Sequence, residues 1–157
     1  IIPTLNKFKG LRFRNEIVIN GKKIKVINDS KSTSFSSTQE LIDTKKKTFW
    51  ILGGLPKKGD KFTLSKKDCF NLRAYIFWKN AEFFVKRLKD KVHYQKFNNM
   101  ISAIKKIKID FKKEQMSIEK IILFSPASAS FDLSLIHIDR GKYFNYQLRK
   151  IGINGKK

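Results

Sequence analysis

The sequence predicts an α/β fold: a mainly parallel sheet with helices on both faces and one antiparallel pair at its N-terminal end. Three observations predict it. The runs Thr48 to Leu52 and Ile121 to Phe124 are continuously apolar, as expected of strands covered on both faces. Such runs alternate along the chain with segments of helical periodicity, which implies βαβ crossovers. Asn20-Gly21 lies between two β-prone runs, the arrangement of a hairpin turn.

Element by element, residues 1–14 carry several basic positions and little periodicity, so they read as a linker, with the folded domain at 15–157. Glu16 to Asn20 and Lys22 to Asn28 form the antiparallel pair around Asn20-Gly21, a dipeptide that accepts positive φ. After a loop at 28–35, Ser37 and Glu40 have the spacing of a capping box for a helix reaching about Lys46. The buried strand at Thr48 to Leu52 follows. A short helix near 63–70, a strand at 74–78, a helix at 81–89 and a strand at 92–97 continue the alternation. Ile101, Ile104, Ile107 and Phe111 recur at helical spacing, so 98–113 reads as a helix capped by Asn98 or Asn99. Ile121 to Phe124 is the last buried strand, and an amphipathic helix from about 139 to 151 closes the chain.

With 157 residues, 41% of them hydrophobic, the chain suits one domain with one contiguous core. The single Cys69 closes no internal disulfide and reads as a small buried hydrophobe, which fits a reducing, cytoplasmic setting. No apolar run reaches the roughly 18 to 20 residues that span a bilayer. Ile1-Ile2-Pro3 resembles neither a signal peptide nor a natural start, so the chain is expected to be a piece of something longer. The net charge of +22 invites a nucleic-acid reading. Lysines greatly outnumber arginines and are spread along the whole chain, whereas sequence readers favour the arginine fork. A solvated basic surface is therefore the first reading, and a basic module that binds nucleic acid non-specifically is the alternative.

The chemistry gathers in three loops: Asn28 to Thr33, Gly53 to Asp60, and Ser125 to Asp132. Each follows a strand, and open α/β sheets bind ligands beyond the carboxyl ends of their strands. Gly54, Gly59 and Lys61 suggest a P-loop at first glance, but Asp60 stands where its lysine belongs and Phe62 where its hydroxyl belongs. Gly53-Gly54 instead lets the chain turn sharply off its strand, leaving Lys57 to meet a carboxylate or phosphate, or simply water. Asp29 has the position to accept from a ribose hydroxyl or to form an Asx-turn. The small residues from Ser125 to Ser130 leave N–H groups and hydroxyls for an anion, or make a plain connection. His93 and His137 have no partner at metal-ligand spacing, and no nucleophilic triad can be assembled.

In this order the loops resemble the C-terminal domain of the Mur ligases, in particular the members that add D-glutamate. Asn28 to Thr33 is similar to that family's N-D-S-K-A-T, Ile51 to Asp60 to its L-G-G-x-x-K-x-x-D, and Ser125 to Asp132 to its S-P-A-C-A-S-F-D. Arg140-Gly141 and Phe144 match the R-G-x-x-F that follows, and the resemblance covers about residues 9–150. Arg12-Phe13 replaces the family's Pro-His, and Ser134 to Ile138 replaces its F-K-N-F-E. The resemblance implies a Rossmann-like domain of a ligase of peptidoglycan synthesis. The ligase's ATP and Mg2+ would be held mainly by a P-loop domain that these residues do not include, so this chain would be inactive alone and hold no cofactor of its own. It implies that Lys57, Thr33 and Ser130, with the backbone of Phe131, hold the D-glutamate carboxylates. Lys31 would lie in the same pocket and His137 at its wall. Asp29 would contact the ribose and Arg14 the ATP phosphates, with UDP-N-acetylmuramoyl-L-alanine bound through other domains.

Overall fold

A computed structural model describes residues 11–115, 117–129 and 137–154. The elements run β1 (Glu16–Asn20), β2 (Ile24–Asn28), α1 (Phe35–Gln39), β3 (Lys47–Leu52), β4 (Leu55–Pro56), β5 (Leu72–Phe77), α2 (Ala81–Leu88), β6 (His93–Phe97), α3 (Met100–Lys113), β7 (Lys120–Phe124), β8 (Ser128–Ala129) and α4 (His137–Lys150). Six strands form one sheet in the order β1-β2-β7-β3-β5-β6, and β4 pairs with β8 as a separate ribbon. Only β1 runs antiparallel in the main sheet; β2·β7, β7·β3, β3·β5 and β5·β6 are parallel. The mixed topology read from the sequence is thus the observed one.

The sheet divides the core into two layers because successive strand residues face opposite sides. Phe49 and Ile51 of β3, with Ile122 and Phe124 of β7, pack against Ile104 and Ile107 of α3 and Phe144 and Leu148 of α4. Trp50, Leu52, Ile121 and Leu123 face the other way, onto Phe35 of α1, Phe62, Cys69 and the Phe84 and Leu88 of α2. Where one contiguous core was expected, there are two. Burial pushes the Cys69 thiol up to about 11, so it is a packing group and not a nucleophile.

Three local expectations fail. The hairpin turn takes residues 21–23, closed by the Gly21 N–H on the Ile24 carbonyl at 2.8 Å. An irregularity between Ile17 and Ile19 takes up the register, and Gly21 needs no positive φ. The helix expected from Ser37 to Lys46 is the short α1, whose cap is Ser34, accepting from the Ser37 N–H. Ser34 also meets the hydroxyls of Ser36 and Ser37, local bonds that compete with helix propagation. Around 63–70 there is no helix but a run of turns. Ser65 and Asp68 bond one another there in both directions, and the chain must then bury Cys69 and enter β5 at Leu72. By contrast Asn99 caps α3 as read, accepting from the Ser102 N–H at 2.9 Å. No helix among the described residues is long and apolar enough to cross a membrane.

One polar cluster inside the second layer is testable. The buried Tyr75 hydroxyl donates to Asp110 at 2.8 Å, and Lys106 donates to the other carboxylate oxygen at 2.7 Å. Burial pushes the Asp110 carboxyl up, but the bonds from Lys106 and Tyr75 outweigh it and hold the group below its usual value. The stability such a carboxylate contributes is present above its unfolded pKa and is lost as pH falls through the lower folded one. Tyr75→Phe is expected to cost about 1 to 3 kcal/mol in chemical denaturation at neutral pH. That deficit should shrink below about pH 4; a deficit unchanged in acid would show that Asp110 is not the partner that matters.

Candidate functional site

β2, β7 and β3 are adjacent and parallel, so the loops that follow them leave the sheet at one edge. β2 and β3 send the chain into the layer of α1 and Phe62, whereas β7 between them sends it to α4 in the opposite layer. Connections therefore diverge on both sides of β7, which is where open sheets bind ligands.

The three loops are bonded into one body. A Cβ on Gly53 would lie 2.2 Å from the Phe77 carbonyl oxygen, and one on Gly54 would lie 2.4 Å from Ser128 Oγ. Only glycine permits that double crossing, and both residues sit at positive φ, 149° and 130°. Beyond them Leu55 pairs with Ala129 and Pro56 with Ser128, which sets Lys57 at the end of the β4·β8 ribbon. Ser128 Oγ donates to the Gly53 carbonyl at 2.8 Å. Asp60, the residue that spoils the P-loop pattern, accepts the Phe35 N–H at 2.6 Å and so joins the second loop to the start of α1.

Arg140 of α4 joins the first loop to the third. Its guanidinium donates to the carbonyls of Ser30 at 2.6 Å, Ser128 at 3.1 Å and Ala129 at 3.3 Å. It is only 8% exposed, and among the described residues its Nε–H has no partner. Burial lowers its pKa to about 10, so it remains charged at neutral pH. Gly141 lets α4 come this close, since a Cβ there would meet the Phe13 ring at 2.3 Å. Arg140→Lys is expected to lower stability by about 2 to 4 kcal/mol, because a compact ammonium cannot serve three carbonyls fixed around a planar fork. An unchanged denaturation midpoint would show that the loops hold together without it.

Asp29 is turned inward and 6% exposed. One carboxylate oxygen accepts the Asn15 N–H at 3.0 Å and the other the Ser125 hydroxyl at 3.0 Å. Burial pushes its pKa up, against the lowering effect of those bonds and of Arg14. The Asx-turn in this loop belongs to Asn28, whose Oδ1 accepts the Ser30 N–H at 3.2 Å. Ser125 also meets Thr38 Oγ1 at 2.7 Å, and its carbonyl accepts from Trp50 Nε1 at 2.7 Å, so this serine is a fixed joint between loops.

Lys31, Thr33, Lys57 and Arg14 are exposed at or beside this edge. Among the described residues, none of the three cations is in an ion pair. The ion pairs Lys46–Glu119, Lys47–Glu114 and Arg73–Glu114 lie at the amino ends of β3, β5 and β7, and Lys96–Glu82 at the carboxyl end of β6, away from these three cations. Like charge left unneutralised at one rim is the electrostatic signature of an anion site. Backbone strain gathers at the same rim. Among the described residues, the non-glycine residues at positive φ are Phe13, Asn15, Trp78 and Ala127: two beside the first loop, one just past β5 and one in the third loop. Such strain concentrates at functional sites.

Of the residues singled out from the sequence, Ser130 and Phe131 lie outside the described residues. His137 opens α4, and its side chain also lies outside them. Sequence reasoning missed the joining role of Arg140 and the bond from the Phe35 N–H to Asp60. Only the Arg140-Gly141 pair carried a signal, through its match to R-G-x-x-F.

No family model matches the chain. Two proteins named UDP-N-acetylmuramoylalanine–D-glutamate ligase are similar to it: that of Wolbachia sp. subsp. Brugia malayi (strain TRS) is 33% identical over 152 residues, 96% of this chain and 30% of the relative. That of Francisella philomiragia is 35% identical over 147 residues, 91% of this chain and 34% of the relative. The chain thus spans about a third of the length of the curated relatives it matches. Among solved structures, the MurF ligase of Thermotoga maritima in complex with ADP shares the fold, with a TM-score of 0.54 over 96% of this chain and 34% of that one, at 16% identity. With its three motifs in order on one rim, and with relatives above 30% identity along nearly its whole length, the chain belongs to the Mur ligase family.

Proposed function

We propose that this chain is the C-terminal, amino-acid-binding domain of an ATP-dependent ligase that adds D-glutamate to UDP-N-acetylmuramoyl-L-alanine in the cytoplasm, for peptidoglycan synthesis. Residues 15–157 are the domain and 1–14 the linker into it. The observation that carries the reading is the rim itself: three loops bonded into one body, with Lys31, Lys57 and Arg14 unpaired among the described residues. A dicarboxylate needs compact cations and hydroxyl donors held in fixed relation. Lys57, Thr33 and Ser130 hold the two carboxylates, with the Phe131 backbone, Lys31 and His137 around them. Arg14 reaches toward ATP phosphates and Asp29 toward the ribose side.

In the reaction, ATP phosphorylates the carboxylate of the muramoyl substrate. The D-glutamate amine attacks that carbonyl, the C–N bond forms, phosphate departs with the C–O bond, and the amine gives up a proton. This chain's part is to present the amine while holding the carboxylates. The triphosphate and Mg2+ need a phosphate cradle that these loops do not supply, so the pure chain is expected to turn over neither ATP nor amide; measured turnover would sink that part of the reading.

The test is titration of the isotope-labelled chain with D-glutamate and L-glutamate, followed by amide chemical shifts. The D-enantiomer should move signals at 31–33 and 57 with little effect at the opposite edge. No response to either enantiomer, together with binding to nucleic acid that weakens steeply with salt, would overturn the reading in favour of a nucleic-acid module.

A further inference from the structure

α3 and α4 cover the second layer side by side, setting Ile104 and Ile107 of one and Phe144 and Leu148 of the other on the sheet. Both leave the carboxyl rim, after β6 and after the third loop, and run toward the opposite end of the sheet. Arg140 is fixed in the rim, so at about 1.5 Å per residue Lys150 lies about 15 Å farther along the helix axis. The outward side of this pair carries charge of one sign. Lys105, Lys108 and Lys112 of α3 and Lys142, Arg149 and Lys150 of α4 are half-buried or exposed, and among the described residues none is in an ion pair. The two helices hold two acids. Asp110 is taken up by Lys106 and Tyr75, and Asp139 lies in the first turn of α4, at the rim end. The first layer differs: α1 has no charged residue, Glu82 of α2 meets Lys96, and Arg87 donates to the carbonyls of Asp60 and Phe83.

Apolar surface lies among these cations. Ile109, Tyr143 and Tyr146 are 53%, 41% and 53% exposed, at spacings that put them on the same helix stripes as Lys105, Lys112, Lys142 and Lys150. Between the helices runs a groove of about 500 Å³ lined by Ile101 and Ile151 together with Lys105, Lys108 and Lys150, and Lys108 donates to the Ile151 carbonyl at 2.5 Å. We propose that this face docks on an anionic lipid bilayer, with its lysines on the headgroups and its isoleucines and tyrosines in the headgroup boundary. A bilayer offers negative charge over an area as broad as two adjacent helices, with aliphatic chains just beneath it. Lysine stems lie along apolar surface while the ammonium reaches the phosphates, and tyrosine joins an apolar ring to a polar tip. A nucleic acid would meet the charge, but it has no aliphatic layer for Ile101, Ile109 and Ile151. The face also has a single arginine among its six cations, where nucleic-acid recognition favours that fork. Contact of this kind lies on a membrane and needs no helix that crosses one. Because the face runs away from the rim, the proposal is independent of the D-glutamate reading.

The test is co-sedimentation of the full 157-residue chain with lipid vesicles at physiological salt. Vesicles of phosphatidylglycerol and phosphatidylcholine in equal parts should carry the chain down, and vesicles of phosphatidylcholine alone should leave it in solution. The triple variant Lys105→Ala, Lys112→Ala, Lys150→Ala should weaken partition onto the anionic vesicles by about a hundredfold. Lys61→Ala, Lys66→Ala, Lys67→Ala removes the same charge from exposed positions on the side of the first layer and should weaken it by less than about threefold. Ile109→Ser changes no charge, yet should weaken it by about fivefold. All the substituted positions are exposed, so the denaturation midpoints of the three variants should stay near that of the parent. Equal losses in the two triple variants would overturn the proposal, because net charge alone would then account for binding. So would full partition of Ile109→Ser, or failure of the anionic vesicles to carry the chain down. Binding of a single-stranded oligodeoxynucleotide through Lys105, Lys112 and Lys150, with no binding to vesicles, would make the face a nucleic-acid surface and overturn it as well.

Discussion

Replacing Lys57 with alanine in the full-length ligase is expected to lower kcat/KM for D-glutamate by about tenfold to a thousandfold while leaving the KM for ATP much less affected. The estimate follows from one charge-assisted hydrogen bond to a carboxylate, about 1.5 to 3 kcal/mol and more when the cleft excludes water. Lys57 suits that duty because its backbone is fixed by the β4·β8 ribbon while its charge has no ion-pair partner among the described residues. Steady-state kinetics with each substrate varied in turn decide the matter. Equal losses for both substrates would mean that the lysine serves the loop's conformation or the nucleotide, not the amino acid.

Gly53→Ala is expected to be the most damaging single methyl in the chain, at about 3 kcal/mol or more. The new Cβ would meet the Phe77 carbonyl oxygen at 2.2 Å, from a residue whose φ is 149°. Relief requires moving the end of β3 away from β5, and with it the loop that carries Lys57. Gly59 supplies the control: it has φ 79° and nothing within 4 Å of an added Cβ. Gly59→Ala should therefore cost only the conformational share, about 1 kcal/mol. Denaturant midpoints of the two variants separate contact from conformation, and equal losses would refute the close-approach argument.

Much of this architecture was legible because it rests on local pattern. The uninterrupted apolar runs in β3 and β7 announced strands buried on both faces, and Asn20-Gly21 announced the hairpin that β1 and β2 form. The common rim of the loops followed from placing each after a strand. What escaped was set by partners far along the chain. Asp29 is held by Asn15 on one side and by Ser125, 96 positions away, on the other. Arg140 reaches back 110 positions to the Ser30 carbonyl. No local spacing encodes such bonds. The helices expected at 37–46 and 63–70 failed for the related reason that hydroxyl bonds and the burial of Cys69 outweigh modest helix propensity.

The stitching around Phe13 has a mechanical consequence. The Phe13 carbonyl accepts the Lys31 N–H at 3.1 Å, the Asn15 N–H is held by Asp29, and the Phe13 ring lies against Gly141. Residues 13–15 are thus part of the rigid rim, although the sequence places 13 and 14 at the end of a linker. Residues 13–15 therefore belong mechanically to the domain and not to what enters it. The chain meets the binding rim at Phe13 itself, bonded to the loop that carries Asp29 and Lys31.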